Sequence, residues 1–401
     1  MSKADWHLDS CQQGVIGRGN ARYGSRGRAR RPSAMLRCAV QLARELRSQA
    51  RTAWVVRGLW SLPQLVRAAQ LPHAWYVRKD GSAPPPIAAC QYITYACPET
   101  CTFCNVTHAV ESWQEPLDEV SQARLIEKII PTIPTIAIGG GEPMAHPTIL
   151  EHYARIKRRG GSIFTVTSGT TLGATKARKL AEIGPDVVMF SILGDEPSHD
   201  HAMGRVGSWR RSVGGLQNLL DHRDPRRTRI IINCPVDFTN AHTIRAVAKL
   251  GKSMGVDAVR FTWVSFLTET ERMAEPHEIN YHVVPDATLD AFDPSPVFAA
   301  ADALAREHRG FVSFHPALSP AERDRWFKPG GGVSRRCQTL WHTLFIRPDG
   351  SVVPCGHLFS DPVGNLVEDD LEALWNHPRL KAERLSQWAE PFPVCARCCK
   401  V

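Results

Sequence analysis

Cys97-Pro98-Glu99-Thr100-Cys101-Thr102-Phe103-Cys104 sets three cysteines at C-x3-C-x2-C spacing directly after a β-rich run, Ala88–Tyr95. Three thiolates on one short loop can hold three irons of a [4Fe–4S] cube and leave the fourth iron open to another ligand. A structural zinc site closes on four ligands. His108 is the residue that would complete one here, so zinc is the competing reading. The loop's place at the carboxyl end of a strand is where parallel α/β folds bind their ligands.

Outward from the loop, short β-rich runs alternate with helical ones. The strands expected are Ala88–Tyr95, Thr135–Ile138, Ser162–Thr167, Val187–Leu193, Arg229–Asn233 and Ala258–Trp263. The helices expected are Asp118–Ile130, Pro147–Arg158, Leu172–Ile183, Arg210–Leu220 and Asn240–Met254. Asn240 is an N-cap by type, and Gly255 reads as the C′ glycine of that last helix. Six strands with crossover helices predict a parallel α/β sheet, either part of a barrel or doubly wound. Ser295, Pro296 and Gly310 bound a further helix over Pro296–His308, with a strand near Phe311–Phe314. Thr339–Ile346 and Ser351–Pro354 form a hairpin about the turn Arg347–Gly350, and a helix Leu371–His377 follows. His199, Asp200 and His201 read as a polar loop beyond the fourth strand. There Asp195 or Asp200 either meets substrate or is solvated.

Gly139-Gly140-Gly141-Glu142-Pro143 closes the second strand. Alone, a glycine run after a strand signals only a tight turn. In register with the cysteine loop, whose last cysteine follows the aromatic Phe103, it resembles the GGEP segment of the radical S-adenosylmethionine superfamily. The resemblance covers about residues 87–310. It implies a partial (β/α)6 TIM-like barrel in which Cys97, Cys101 and Cys104 ligate the catalytic [4Fe–4S] cluster. It further implies that Gly140, Gly141, Glu142 and Pro143 receive the methionyl amine of S-adenosylmethionine. Ser168 and Ser191 would reach the sulfonium or ribose, Asn233 the ribose, and Trp263 would frame the adenine. Phe103 would pack against cluster or adenine. A capping or turn hydrogen bond is the competing reading for Ser168, Ser191 and Asn233. The chemistry implied is one-electron cleavage of the sulfonium to methionine and a 5′-deoxyadenosyl radical, which removes a hydrogen atom from substrate. The electron would come from a reductase of flavodoxin or ferredoxin type. Cys234, next to Asn233, is the candidate to return a hydrogen atom to a substrate radical; a buried inert thiol is the alternative.

A second cysteine group follows: Cys337, Cys355 five residues after Gly350, then Cys395 and Cys398. It resembles the SPASM/twitch extension of the same superfamily, in truncated form, since the extension has more cysteines than this chain shows before Val401. Four thiolates serve one auxiliary [4Fe–4S] cluster, with Cys399 competing with Cys398 as ligand. A zinc ribbon is the alternative reading. The organisation expected is a basic leader (1–34), a helical lead-in (35–86), a core (87–310) and a small C-terminal Fe–S domain (311–401).

The chain has 401 residues, is 43% hydrophobic and carries a formal charge of +9. Fifteen Lys/Arg face four Asp/Glu in residues 1–80, so the basic excess lies in that N-terminal stretch and the rest is near −2. No stretch approaches the ~20 apolar residues of a membrane span. Arg30-Arg31 lacks the apolar core of an export signal. Clustered cysteines in a long chain favour ligation over disulfides. These observations place the protein in the cytoplasm. Residues 35–70, with helical spacing and several arginines, suit either packing on the core or peripheral membrane contact, with Trp54 and Trp60 at the interface.

The substrate expected is a small molecule such as a sugar or nucleoside, because peptide-modifying members of the superfamily carry an N-terminal peptide-binding module that residues 35–86 are too short and too helical to form. A peptide or a lipid are the alternatives with the same chemistry. A non-catalytic zinc or Fe–S protein binding nucleic acid through its basic arm is the alternative of another class. Under it the Gly139–Pro143 segment has no purpose, so nucleic acid is not an expected partner.

Overall fold

The computed structural model describes residues 61–106, 115–277, 279, 281–333, 335–357 and 361–398. The leader, the helical stretch up to residue 60, His108 and Cys399 lie outside the described residues. A helix α1 (Leu62–His73) and a π turn (Ala74–Arg78) lead into β1 (Ala88–Thr94). Then come α2 (Glu119–Ile129), β2 (Thr135–Gly140), α3 (Ile149–Arg158), β3 (Ser162–Thr167), α4 (Ala174–Ile183) and β4 (Val187–Ser191). Two helices, α5 (Glu196–Met203) and α6 (Ser208–Leu220), precede β5 (Arg229–Val236), followed by α7 (Ile244–Met254) and β6 (Ala258–Trp263).

Strands β1 to β6 stand side by side in chain order, all parallel, each crossover carrying at least one helix. This is the partial (β/α)6 arrangement. Caps set its helix ends: the Asp118 carboxylate accepts from Ser121 N at the start of α2, and Gly184 and Gly255 close α4 and α7 at φ +69° and +75°. Asn240 is not a side-chain cap; its Nδ2 donates to the carbonyls of Leu193 and Pro235, stitching the ends of β4 and β5.

Beyond β6 lie β7 (Leu267–Thr268), α8 (Glu269–Ala274), β8 (Val283–Val284), α9 (Asp286–Asp290) and α10 (Ser295–Glu307), then β9 (Val312–His315) and α11 (Pro320–Trp326). β9 pairs with β6, so the sheet continues across the 310/311 boundary. The hairpin β10 (Thr343–Ile346) and β11 (Ser351–Val353) joins the opposite edge, β10 parallel to β1, and β12 (Gly364–Asn365) ends a ten-stranded sheet. Helices α12 (Leu371–Trp375) and α13 (Pro378–Ala389) follow.

Side chains alternate across a strand, and the two faces differ. Phe164, Val166, Val187, Met189, Ile231 and Ala258 form a small cluster on one face. The intervening residues, among them Phe190, Ile232, Phe261 and Trp263, join the large core under the helices. At the C-terminal side Arg384 is fully buried, without a carboxylate partner among the described residues. It donates to the carbonyls of Leu340, Gly81 and Trp375 and lies 4.2 Å over the Trp375 ring. Burial lowers its pKa to about 9. Trp75 stacks on Trp388 at 5.3 Å, so the lead-in is packed onto the C-terminal helix.

Candidate active site and auxiliary cysteine pocket

The loop after β1 does not stand alone. Thr100 N and Thr102 N donate to the carbonyls of Met203 and Ala202 at the end of α5 (3.1 Å each), and Arg205 donates to Pro98 O. Glu99 is buried and accepts from Ser208 Oγ at 2.8 Å. Gly204, at φ +67°, lies where a Cβ would meet Thr100 Oγ1 at 2.4 Å. The carboxyl end of β4 thus provides the seat for the cysteine loop. Phe103 and Cys101 pack on Leu193, Ala202 and Met203, and Cys101 Sγ donates to Met203 Sδ at 3.2 Å.

The three thiols are within electrostatic reach of one another. Burial pushes the Cys97 thiol up to about 11, with Glu142 and Cys104 adding to it. Burial likewise raises Cys101, with Cys104 and Cys97 as the next contributors. Such a cluster is costly to ionise alone, and a bound cation inverts that logic. Among the described residues no three His, Cys, Asp or Glu side chains are gathered as one chelated ion gathers them. A cube, whose irons sit at separate corners, accepts the wider spacing.

Next to the loop, the β2 end presses on the β1 end. A Cβ on Gly140, at φ +128°, would lie 2.2 Å from Thr94 O, and one on Gly141 would lie 2.2 Å from Ala96 O. Only glycine permits this approach. Glu142, 1% exposed, is the hub of the turn. Its Oε1 accepts from Thr167 Oγ1 at 2.6 Å and Met144 N at 2.9 Å; its Oε2 accepts from Ser168 N and Ser168 Oγ, both at 2.6 Å. Four donors occupy the carboxylate's four lone-pair positions. Glu142 and Ser168 therefore brace each other, and a ligand contact by either exchanges one of these bonds. Pro143 opens a short 3-10 turn and is buried.

Ser191 and Asn233 are register partners at the ends of β4 and β5, continuing the face that holds Met189 and Ile231. Asn233 Oδ1 accepts from Thr262 Oγ1 at 2.7 Å. These three polar side chains belong to the face away from the helices.

Alternation turns two of the expected residues to the other face. Cys234 follows Asn233 on the opposite face, fully buried in the helix-side core, where burial raises its thiol pKa. Its side chain packs in the core, on the face opposite Asn233. Replacing Cys234 with alanine is expected to lower stability by about 1 kcal/mol and to leave 5′-deoxyadenosine formation within about twofold. Thermal melts and a product assay check both. The Trp263 side chain also faces the helix side, 5.4 Å from the Phe314 ring and 5.0 Å from Phe298. The polar loop at 199–201 is corrected too: it lies within α5. Asp195 caps that helix through Ser198 N, and Asp200 accepts from Gly207 N and Trp209 N. Their carboxylates hold the loop's seat.

The second cysteine group converges. Cys337, Cys355, Cys395 and Cys398 line one pocket among otherwise largely apolar walls. Burial raises the Cys395 thiol, with Cys337 and Cys355 adding to it. The polar groups fit an anionic occupant: Gln387 and His357 line the same pocket, each with a buried side-chain nitrogen that has no hydrogen-bond partner among the described residues. Arg397, between Cys395 and Cys398, is 1% exposed; it donates to Trp326 O at 2.6 Å and pairs with Glu271. Tyr92 Oη donates to Gly356 O at 3.3 Å, tying β1, which leads to the first loop, to the residue after Cys355.

Comparison with known proteins finds a family model over each of the two cysteine groups. The Radical SAM superfamily model matches residues 92–250, and the SPASM iron–sulfur cluster-binding domain matches residues 337–399. A PqqA peptide cyclase of Methylocella silvestris is 23% identical over 78% of this chain and 80% of its own. An AdoMet-dependent heme synthase of Methanosarcina barkeri is 27% identical over 76% of this chain and 85% of its own. Streptococcus suis SuiB, solved with the precursor peptide SuiA, shares the fold at a TM-score of 0.58 and 14% identity, over 83% of this chain and 80% of that one. No helix among the described residues is long and apolar enough to cross a membrane.

Proposed function

The chain belongs to the radical SAM superfamily and carries a SPASM-type iron–sulfur extension, and on that footing we propose that it modifies a peptide by hydrogen-atom abstraction in the cytoplasm. Cys97, Cys101 and Cys104 would hold a [4Fe–4S] cluster, which, with an electron from a flavodoxin- or ferredoxin-type protein, would supply the one-electron cleavage of S-adenosylmethionine to methionine and a 5′-deoxyadenosyl radical. The chain's own residues bind and orient. The Gly140–Gly141 backbone, braced by Glu142 and Pro143, lies beside the cysteine loop and receives the methionyl end. Ser168, Ser191 and Asn233 present hydroxyl and amide groups to the sulfonium and ribose. Phe103 shields the loop on the Leu193 side, limiting water at the reacting centre. Cys337, Cys355, Cys395 and Cys398 hold one auxiliary cluster in a pocket of its own.

The observation that carries the chemistry is that the chain entering the cysteine loop is bound to the Glu142 turn, Gly141 N donating to Thr94 O at 2.7 Å and Glu142 N to Ala96 O at 3.0 Å, at the carboxyl ends of β1 and β2. The peptide is favoured over the sugar or nucleoside expected from sequence by the PqqA cyclase relatives, which recur in several organisms. A small-molecule substrate is the second reading, supported by the heme synthase at 27% identity. Co-expression with short open reading frames flanking the gene, followed by mass spectrometry, tests the choice. A peptide that loses hydrogen mass only when Cys97 is intact supports the proposal. Unchanged peptides, with deoxyadenosine production stimulated by a metabolite extract instead, would reject it.

A further inference from the structure

A buried polar nitrogen needs a partner, which for an amide NH2 or an imidazole Nε2–H is an acceptor. The four-cysteine pocket contains two nitrogens without any partner among the described residues, Gln387 Nε2 and His357 Nε2. Gln387 is 1% exposed, and its carboxamide is already oriented. Its Oε1 accepts from Cys337 N at 3.1 Å, which leaves the NH2 group as the end without a partner. The His357 ring is held edge-on to Tyr281 at 6.0 Å and 76°. Apart from the cysteines and these two residues, Thr339 is the one lining residue with a side-chain oxygen, and neither nitrogen bonds it. What the two nitrogens lack is an occupant rich in acceptors, and sulfides and thiolates are acceptors.

We propose that Gln387 and His357 are the hydrogen-bond donors to the auxiliary iron–sulfur cluster, with Gln387 the positioning residue that links the cluster to the Cys337 backbone through its other end. The inference rests on the reading that Cys337, Cys355, Cys395 and Cys398 hold that cluster. Four thiolates complete its ligation, so neither residue is needed as a ligand. Their effect is electrostatic: donors toward the sulfurs favour the more negative, reduced state and raise the reduction potential.

The test uses the full chain carrying Cys97/Cys101/Cys104→Ala, so that only the auxiliary cluster is observed. Iron content, an EPR-monitored redox titration, and proton ENDOR before and after exchange into heavy water are the readouts. The parent protein is expected to hold about four irons and to show exchangeable proton couplings. His357→Phe and Gln387→Glu should each keep the iron, lose part of those couplings and titrate at a more negative potential, and the double variant should shift furthest. Gln387→Glu retains the acceptor for Cys337 N–H, so it separates loss of the donor from loss of the local fold. Unchanged couplings and potentials in both variants at full iron content would overturn the donor assignment. A parent protein without iron overturns it as well, but on different grounds, because then the four cysteines do not hold a cluster.

Discussion

Arg397→Met should destabilise the C-terminal region by about 3–5 kcal/mol, the cost of leaving a buried charge without its partner, and strip the auxiliary pocket of its iron. Arg397 sits inside the Cys395–Cys398 turn, and its guanidinium uses all its faces. Nε donates to Trp326 O at 2.6 Å, Nη2 to Lys328 O at 2.5 Å, and Nη1 to Glu271, while the plane lies 4.6 Å over the Phe266 ring. Methionine fills similar volume but leaves two carbonyls and the Glu271 carboxylate without their donor. Glu271 also accepts from Thr268 N at the start of α8, so the damage reaches that helix cap. Arg397→Lys keeps the charge but not the planar fork and should fall between. Denaturant midpoints and iron counts measure both. An Arg397→Met protein with unchanged midpoint and full iron would contradict this account of the turn.

The second large effect is expected at Glu142. In Glu142→Gln one of the two carboxylate oxygens becomes an NH2 group. The hydroxyls of Thr167 and Ser168 can rotate to accept from it, but the backbone N–H groups of Met144 and Ser168 cannot. Whichever way the amide turns, one N–H faces an NH2. The turn between β2 and the following 3-10 segment must then shift, and with it the backbone against Thr94 and Ala96. A displacement of that order at a reacting centre costs about 10²-fold in rate. Production of 5′-deoxyadenosine should fall by about that factor, with iron in the first cluster largely kept because its three ligands are untouched. A Glu142→Gln enzyme with the parent rate would mean the buried carboxylate does not set the geometry of the site.

Much of the catalytic site was legible because its chemistry needs unusual residues close together in sequence. Three cysteines on eight residues have few other uses, and the glycines at 140 and 141 announce a close approach that the structure shows against Thr94 and Ala96. What stayed hidden depended on long-range packing or on polar residues in buried positions. Nothing in Glu196–Met203 shows an apolar stripe, so the helix that seats the cysteine loop read as a polar loop. The buried face of α13 consists of Leu380, Arg384 and Gln387, two of them polar, and the helix escaped notice for that reason. The side-chain directions of Cys234 and Trp263 follow from strand alternation. Strand β5 runs on to Val236, and the period-2 alternation that puts Asn233 on one face necessarily puts Cys234 on the other. That signal was present in the sequence.

Anaerobic reconstitution with iron and sulfide, followed by iron counting and a 5′-deoxyadenosine assay with dithionite and S-adenosylmethionine, tests the central claim most directly. The parent chain should take up about eight irons for two [4Fe–4S] clusters and form deoxyadenosine. The Cys97/Cys101/Cys104→Ala variant should keep about half the iron and form none. Zinc in place of iron, or deoxyadenosine undiminished in the variant, would contradict the assignment of the catalytic cluster to that loop.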